Sequence, residues 1–247
     1  MIGFRSAVSV VLLLAIHAVS QDQVDILKSG VEKWNRWREE HKITMPSLEK
    51  ADLAGASLRG AFLEGADLAK ANLGKAILKK VNLEGANLRG ANLEGADLEG
   101  ASLRGAYLRG ADLEGTKLEE ADLSGADLSG ANFGGSNLRG ARLSGAHFQG
   151  ANLRGADLEG ASFEETNFGE ADLRKANIRS ADLGNVKSFY KARLGTKSLG
   201  LIRAKWPEKL ATFWDGAKED WVIDDTLLEQ IKKPDWHGWP EKEDQGK

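Results

Sequence analysis

The stretch ANLRGANLEGADLEGASLRGAYLRG, Ala86 to Gly110, says one five-residue phrase five times. Each phrase holds a small apolar residue, a polar residue, a leucine, a polar residue and a glycine. The phrase extends in both directions without losing step. From Pro46 to Asn185 the chain contains 28 consecutive pentads with no insertion or deletion. The central position is Leu in 23 of them, Phe in four (Phe133, Phe148, Phe163, Phe168) and Ile in one (Ile178), so it is apolar throughout. Two residues earlier stands Ala in 23 pentads, and Pro46, Val81, Thr116, Ser136 and Thr166 fill the rest, all of modest size.

A period of five excludes the common alternatives. A helix needs apolar residues near every 3.6 positions and a coiled coil near every 3.5. A strict five would spread the leucines around a helix, with a glycine in nearly every turn at about 1 kcal/mol each against alanine. In an extended segment, by contrast, the Ala and Leu of one pentad lie two apart and point to the same side. The remaining residues must then turn a corner so that the next pair points inward again. Four corners close a coil of about 20 residues, and coils stack at about 4.8 Å. Seven such coils make a rod roughly 34 Å long. The expected fold is therefore an all-β solenoid of quadrilateral section. Each buried leucine contributes on the order of 1.5–3 kcal/mol, and backbone groups pair between coils.

Eighteen pentads end in Gly, which eases a corner. Lys70, Lys75, Lys80, Glu120 and Glu165 share that slot, so a positive φ is not expected to be obligatory there. Asp or Asn often precedes the centre and suits a turn, because its side chain can bond nearby backbone.

Ala51-Asp52-Leu53-Ala54-Gly55, Ala91-Asn92-Leu93-Glu94-Gly95 and Ala156-Asp157-Leu158-Glu159-Gly160, in unbroken tandem, resemble the pentapeptide-repeat family. That resemblance implies a right-handed quadrilateral β-helix; the handedness comes from the resemblance and not from the spacing.

The flanks read differently. Residues 1–20, MIGFRSAVSVVLLLAIHAVS, carry one charge (Arg5), a short apolar run and small residues before Gln21. They read as a secretory signal peptide, the alternative being an uncleaved anchor. Export, periplasmic or secreted, is the expected localisation, with no membrane span after cleavage. Residues 21–45 are expected to form a capping helix, since Val24, Leu27, Val31, Trp34 and Trp37 recur every three or four positions. Over residues 22–45 the charges balance, five acidic against five basic, which disfavours a membrane-surface role. The segment 186–247 leaves the pentad rhythm and carries Trp206, Trp214, Trp221, Trp236 and Trp239. Two short helices are expected there, broken near Pro207 and Pro234, with Asp224 and Asp225 ahead of the second as caps. The tail reads as a second cap, or else as an aromatic surface for a sugar or a protein, or as the contact of a homodimer formed end to end.

Composition narrows the chemistry. The chain has 247 residues, 34 Lys and Arg against 37 Asp and Glu, and no cysteine. Disulfides, thiolate metal sites and thiol nucleophiles are excluded. His41, His147 and His237 are scattered, and no calcium loop, phosphate loop or nucleophile-elbow motif occurs, so no metal, cofactor or catalytic residue is assigned. The Asp ladder Asp52, Asp112 and Asp172 belongs to the repeat and not to a catalytic pair. Some pentapeptide-repeat proteins resemble duplex DNA and protect gyrase. Residues 46–185 hold 21 acidic and 16 basic residues, net −5, where a duplex of that length needs about 20 charges. One row, Arg59, Lys79, Glu99, Glu119, Arg139, Glu159 and Arg179, mixes signs. The gyrase-mimic and nucleic-acid readings are therefore disfavoured. The leading expectation is an exported, non-enzymatic scaffold or protein-binding rod, with a carbohydrate or cell-envelope binding module acting through the tryptophans as the alternative. Tyr107, an aromatic at an outward slot beside Phe62 and Ile77, joins the five tail tryptophans as a candidate contact.

Overall fold

The computed structural model describes residues 22–181, 183, 185–195, 199, 202, 205, 207–215 and 220–233. The segment read as a signal peptide, and Trp206, Trp236 and Trp239, lie outside the described residues.

Parallel bridges between residues 20 apart run the length of the repeat. They form four ladders, one on each side of the coil. Wall 1 runs Ser47, Asp67, Asn87, Tyr107, Asp127, His147, Asn167. Wall 2 runs Asp52, Asn72, Asn92, Asp112, Asn132, Asn152, Asp172. Wall 3 starts at Ser57 and Ile77 and ends at Asn177, and wall 4 runs from Phe62 to Ser162. The outward residue of each pentad thus stands directly above its counterpart one coil on.

The bonding repeats at every step. Leu53 donates its N–H to Asn72 O at 2.8 Å, and Asn72 donates to Ala51 O at 2.9 Å. Gly55 donates to Gly74 O at 2.9 Å, while Ala56 closes the corner by donating to Leu53 O at 3.0 Å. Every centre from Leu48 to Leu173 is buried, as is the small residue two before it in nearly every pentad. The hydroxyls that replace alanine are satisfied internally: Thr116 Oγ1 donates to Leu113 O at 2.8 Å and Ser136 Oγ to Phe133 O at 2.9 Å. Thr166 Oγ1 donates to Leu143 O at 2.7 Å. In the second half of wall 1 the column is aromatic. Phe148, Phe168 and Phe189 stack with ring centroids 5.2 and 5.4 Å apart.

The corners depart from expectation. From Lys50 to Ser180 every fifth residue has positive φ, whether or not it is glycine. Lys70, Lys75 and Glu120 lie at +57°, and Lys80 and Glu165 at +55°. The turn closed by the following N–H requires that conformation at its third residue. The left-handed region costs a side-chain-bearing residue about 1–2 kcal/mol, and the bonds on both sides of the corner hold it there. None of the substitutes is β-branched, the class for which this region is most hostile.

The N-terminal segment is two helices. Helix α1 covers residues 22–28 and α2 covers Val31–His41. Gly30 separates them at φ 133°, a conformation closed to most other residues, so the single capping helix expected within 21–45 is broken. Trp34 is fully buried, and Val24 and Leu27 pack into the same core as the first leucines.

At the other end the solenoid runs past Asn185. Asn167 bridges Ser188, and β1 (Asp172–Leu173) pairs in parallel with β2 (Arg193–Leu194). The spacing has become 21, one more than upstream, because Lys187 and Ser188 both lie opposite Asn167: Lys187 donates to Thr166 O and Phe168 donates to Ser188 O. This is a one-residue bulge. Val186, Phe189 and Ala192 continue the inward positions and are buried.

Both stretches read as helical in the tail carry helix among the described residues, and a hairpin, which was not expected, stands between them; Pro234 lies outside the described residues. Helix α3 (Pro207–Ala211) is followed by an antiparallel hairpin, β3 (Thr212–Asp215) with β4 (Asp220–Ile223), and then by α4 (Asp225–Ile231). Leu199, Ile202 and Lys205, ahead of Pro207, are helical as well. Ile202, Leu210, Ala211 and Ile231 are buried in the solenoid's core cluster.

Candidate interaction surface

Because leucine and alanine fill the column, what the molecule offers to others is its walls and its two ends. Wall 2 is built from Asn and Asp, which recur on the other walls. Their Oδ1 atoms accept the N–H two residues on, as in Asn92 to Glu94 at 2.9 Å and Asp112 to Glu114 at 3.1 Å. Their amides reach the previous coil: Asn72 Nδ2 donates to Asp52 Oδ1 at 3.0 Å and Asn132 Nδ2 to Asp112 Oδ1 at 3.0 Å. Such side chains are fixed at both ends, so the wall is a flat, pre-ordered polar surface.

Charges follow the same register. In the wall 3 row Lys79 Nζ lies 2.5 Å from Glu99, and Arg139 pairs with Glu159. On wall 4, Asp122 lies within 3.4 Å of Arg104 and 3.5 Å of Arg142. Partial burial pushes the Asp122 carboxyl upward, but the Ser124 hydroxyl and N–H together with Arg104 outweigh it and hold the group below the usual carboxylate range. Asp172 behaves alike: burial raises it, and the bidentate Arg174 bond, the Arg174 N–H and the charge of Arg193 bring it down on balance.

At the N-terminal end, α2 supplies side chains where a preceding coil would supply backbone. Asn35 Oδ1 accepts the Phe62 N–H at 2.8 Å, and its Nδ2 donates to Gly60 O at 3.1 Å. Trp34 Nε1 donates to Phe62 O at 2.9 Å. Arg38 forks to Phe62 O and Glu64 O, each at 3.1 Å. From α1, Gln23 Oε1 accepts the Ser47 N–H at 2.7 Å. Burial lowers the Arg38 pKa against the opposing pull of Glu64. Beside this junction lies an open groove of about 780 Å³ lined by Arg38, Lys42, Ile43, Phe62, Glu64 and Glu84 among others. A recess of about 380 Å³ on wall 2 is lined by Asn152, Glu170, Asp172, Lys191 and Arg193 with the backbone at Gly150 and Ala151.

Among the described residues, the outward apolar side chains stand on three different walls. Tyr107 is 44% exposed on wall 1, with the Arg89 guanidinium 4.5 Å above its ring. Phe62 is on wall 4 and Ile77 on wall 3, both 43% exposed. Trp214 and Trp221 are direct partners across the hairpin. Among the described residues no group of three His, Asp or Glu is placed to hold a metal, and no helix is long and apolar enough to cross a membrane. The sequence reading passed over Arg38 and Asn35, whose roles depend on how a helix lands on a coil. It also passed over the wall 2 charges, which emerge when every twentieth residue is read as one column.

Comparison with known proteins gives three findings. A family model described as pentapeptide repeats matches residues 47–85, 86–125, 121–160 and 151–187. Comparison with curated proteins gives no match. Among solved structures, HetL from the cyanobacterium Nostoc, a protein involved in heterocyst differentiation regulation, is 29% identical over 62% of this chain and 94% of its own, with a TM-score of 0.29. A thylakoid-lumen protein of Arabidopsis thaliana is 27% identical over 69% of this chain and 89% of its own, with a TM-score of 0.32. The plasmid-mediated fluoroquinolone resistance protein QnrB1, in a trypsin-treated form, is 26% identical over 62% of this chain and 82% of its own, with a TM-score of 0.43.

Proposed function

The chain belongs to the pentapeptide-repeat family, and on that premise we propose that it is an exported, non-enzymatic rod whose polar walls bind a protein partner. Its coil is taken to be right-handed, as in that family. One observation carries the reading. The repeat fills its interior with a packed Leu, Ala and Phe column, and on wall 2 sets out Asn72, Asn92, Asn132 and Asn152, each already fixed by two hydrogen bonds or more. A surface ordered before contact loses little conformational entropy on binding, which is what a recognition surface requires. The helices at either end serve as caps, since an uncovered coil would present unpaired backbone to another copy.

Export follows from the basic start, apolar run and small residues of positions 1–20. Expression of the full chain with fractionation and N-terminal sequencing tests it. The expected result is an exported product beginning at Gln21; a chain retained inside with Met1 intact refutes it. Pull-down with the mature protein, against a form bearing Arg substitutions at Asn92 and Asn132, tests the walls. Loss of the captured partner supports wall binding, and unchanged capture refutes it.

The hairpin favours a second reading. Trp214 and Trp221 share one register position of the hairpin, and tryptophan is a residue type that serves sugar and protein contacts. Titration with cell-envelope oligosaccharides, followed by tryptophan fluorescence, decides it: a saturable change lost in Trp214→Ala supports carbohydrate binding, and a flat titration rules it out.

A further inference from the structure

Wall 2 carries a charge pattern that is its own complement when reversed. Two residues after each ladder position, the column reads Ala54, Gly74, Glu94, Glu114, Gly134, Arg154, Arg174. The column is acidic on one side of Gly134 and basic on the other, at equal steps of one coil. We propose that wall 2 is a self-association surface, on which a second copy of this chain lies antiparallel about a two-fold axis passing at Gly134.

The geometry follows from symmetry. A two-fold axis in the plane of contact, across the rod at Gly134, sends each coil to its mirror number and leaves lateral position unchanged. Glu114 then meets Arg154 of the second copy, and Glu94 comes opposite Arg174, whose guanidinium also holds Asp172 of its own chain, each pair occurring twice. In the ladder column Asp112 meets Asn152 and Asn92 meets Asp172, so carboxylates face amides that can donate to them. In the corner column Gly95 meets Lys175 and Gly115 meets Gly155. The like-charge approach of Lys70 to Lys191 falls on the adjoining corner, at the ends of the contact. A parallel arrangement would bring Glu114 to Glu114 and Arg154 to Arg154 and is disfavoured by the same charges.

Three features of the wall agree. Glu94, Glu114 and Arg154 are exposed, and none makes an ion pair among the described residues, whereas the comparable wall 3 row spends its charges on Lys79–Glu99 and Arg139–Glu159. Gly134 has no positive φ; a Cβ there would stand 3.3 Å from Asn132 Oδ1 and 3.4 Å from Asn152 Nδ2, so glycine gives the ladder amides room and leaves a bare surface at the axis, where two copies approach most closely. The Asn ladder around it is flat and bonded in place, with Asn152 Nδ2 donating to Asn132 Oδ1 at 2.7 Å. The contact spans one narrow wall, so the association is weak, in the micromolar range or above, and depends on salt.

Sedimentation equilibrium of the mature chain at low and high salt tests this. A dimer is expected at about 50 mM salt, weakened tenfold or more at about 500 mM. E114R alone and R154E alone each place like charges across the axis and are expected to weaken it by at least tenfold. The double variant E114R/R154E restores opposite charges across the axis and recovers the dimer. Both residues changed are exposed at the wall, and circular dichroism confirms that the variants fold. A chain monomeric at every concentration in low salt overturns the proposal. So does a dimer indifferent to the single exchanges, or one that the double exchange fails to recover.

Discussion

Glu120 sits at a corner with φ of +57°, and the residue five before it, Gly115, has +61°. The coil imposes one backbone on both, and the sequence varies around it. Relieving Glu120 of its side chain removes about 1–2 kcal/mol of strain, while the freer unfolded chain returns about 0.4–1 kcal/mol of that. Glu120→Gly is therefore expected to stabilise by about 0.5 kcal/mol in urea denaturation. Gly125→Val, at φ +68°, is expected to cost more than about 1 kcal/mol although nothing within 4 Å crowds the added Cβ. A stabilising valine would contradict the shared-backbone account. The inward and outward assignment has its own test. Leu98 is fully buried, and Leu98→Asp places a carboxylate where no partner stands, so soluble folding is lost. Glu99→Lys loses only the exposed pair with Lys79 and meets a like charge there, a cost of less than about 1 kcal/mol. Equal outcomes for the two would mean that the leucine does not face inward.

The helices show what a repeat does not encode. The pentad period made the solenoid readable from residues alone, because no other element tolerates a strict five with Ala and Leu two apart. The corner conformation was misjudged, since Lys and Glu at a slot argue against positive φ only when backbone propensity decides, and here inter-coil bonds decide. The helix break was signalled by Gly30, readable on its local chemistry. The hairpin was hidden between the two stretches read as helices, although Thr212, Phe213, Trp214 and Val222 favour strands. The solenoid's continuation past Asn185 was hidden by a single extra residue, Lys187. At the N-terminal end, Asn35 acts as a piece of missing coil, accepting from Phe62 and donating to Gly60. Asn35→Asp keeps the acceptor and loses the donor, and is expected to cost about 0.5–1.5 kcal/mol. Trp34→Ala removes both a hydrogen bond and a fully buried ring, and is expected to cost about 3–5 kcal/mol. Measured by urea denaturation, the reverse order would mean that α2 sits on the coil for its polar edge more than for its core.

Across the whole molecule, charge is balanced by number and held by register. The formal charge is −3, the residue of 34 basic and 37 acidic groups on a narrow rod. Acid removes the carboxylate half of that balance and leaves the 34 cations unopposed along the walls. The shifts of Asp122 and Asp172 set the sign. Both are held below the usual carboxylate range in the folded chain. The unfolded state therefore takes up protons first as pH falls, and the stability that these groups contribute is complete above about pH 4 and is lost as pH drops through their folded values. Urea midpoints are expected to be level from about pH 7 to pH 5 and to fall steeply below about pH 4. Asp122→Asn removes a titrating group that Arg104 and Arg142 both face, so that variant should start from a lower midpoint at neutral pH and lose less on acidification. A midpoint for Asp122→Asn that falls with acid as steeply as that of the parent chain would remove Asp122 from the account and leave general repulsion among the cations as the cause.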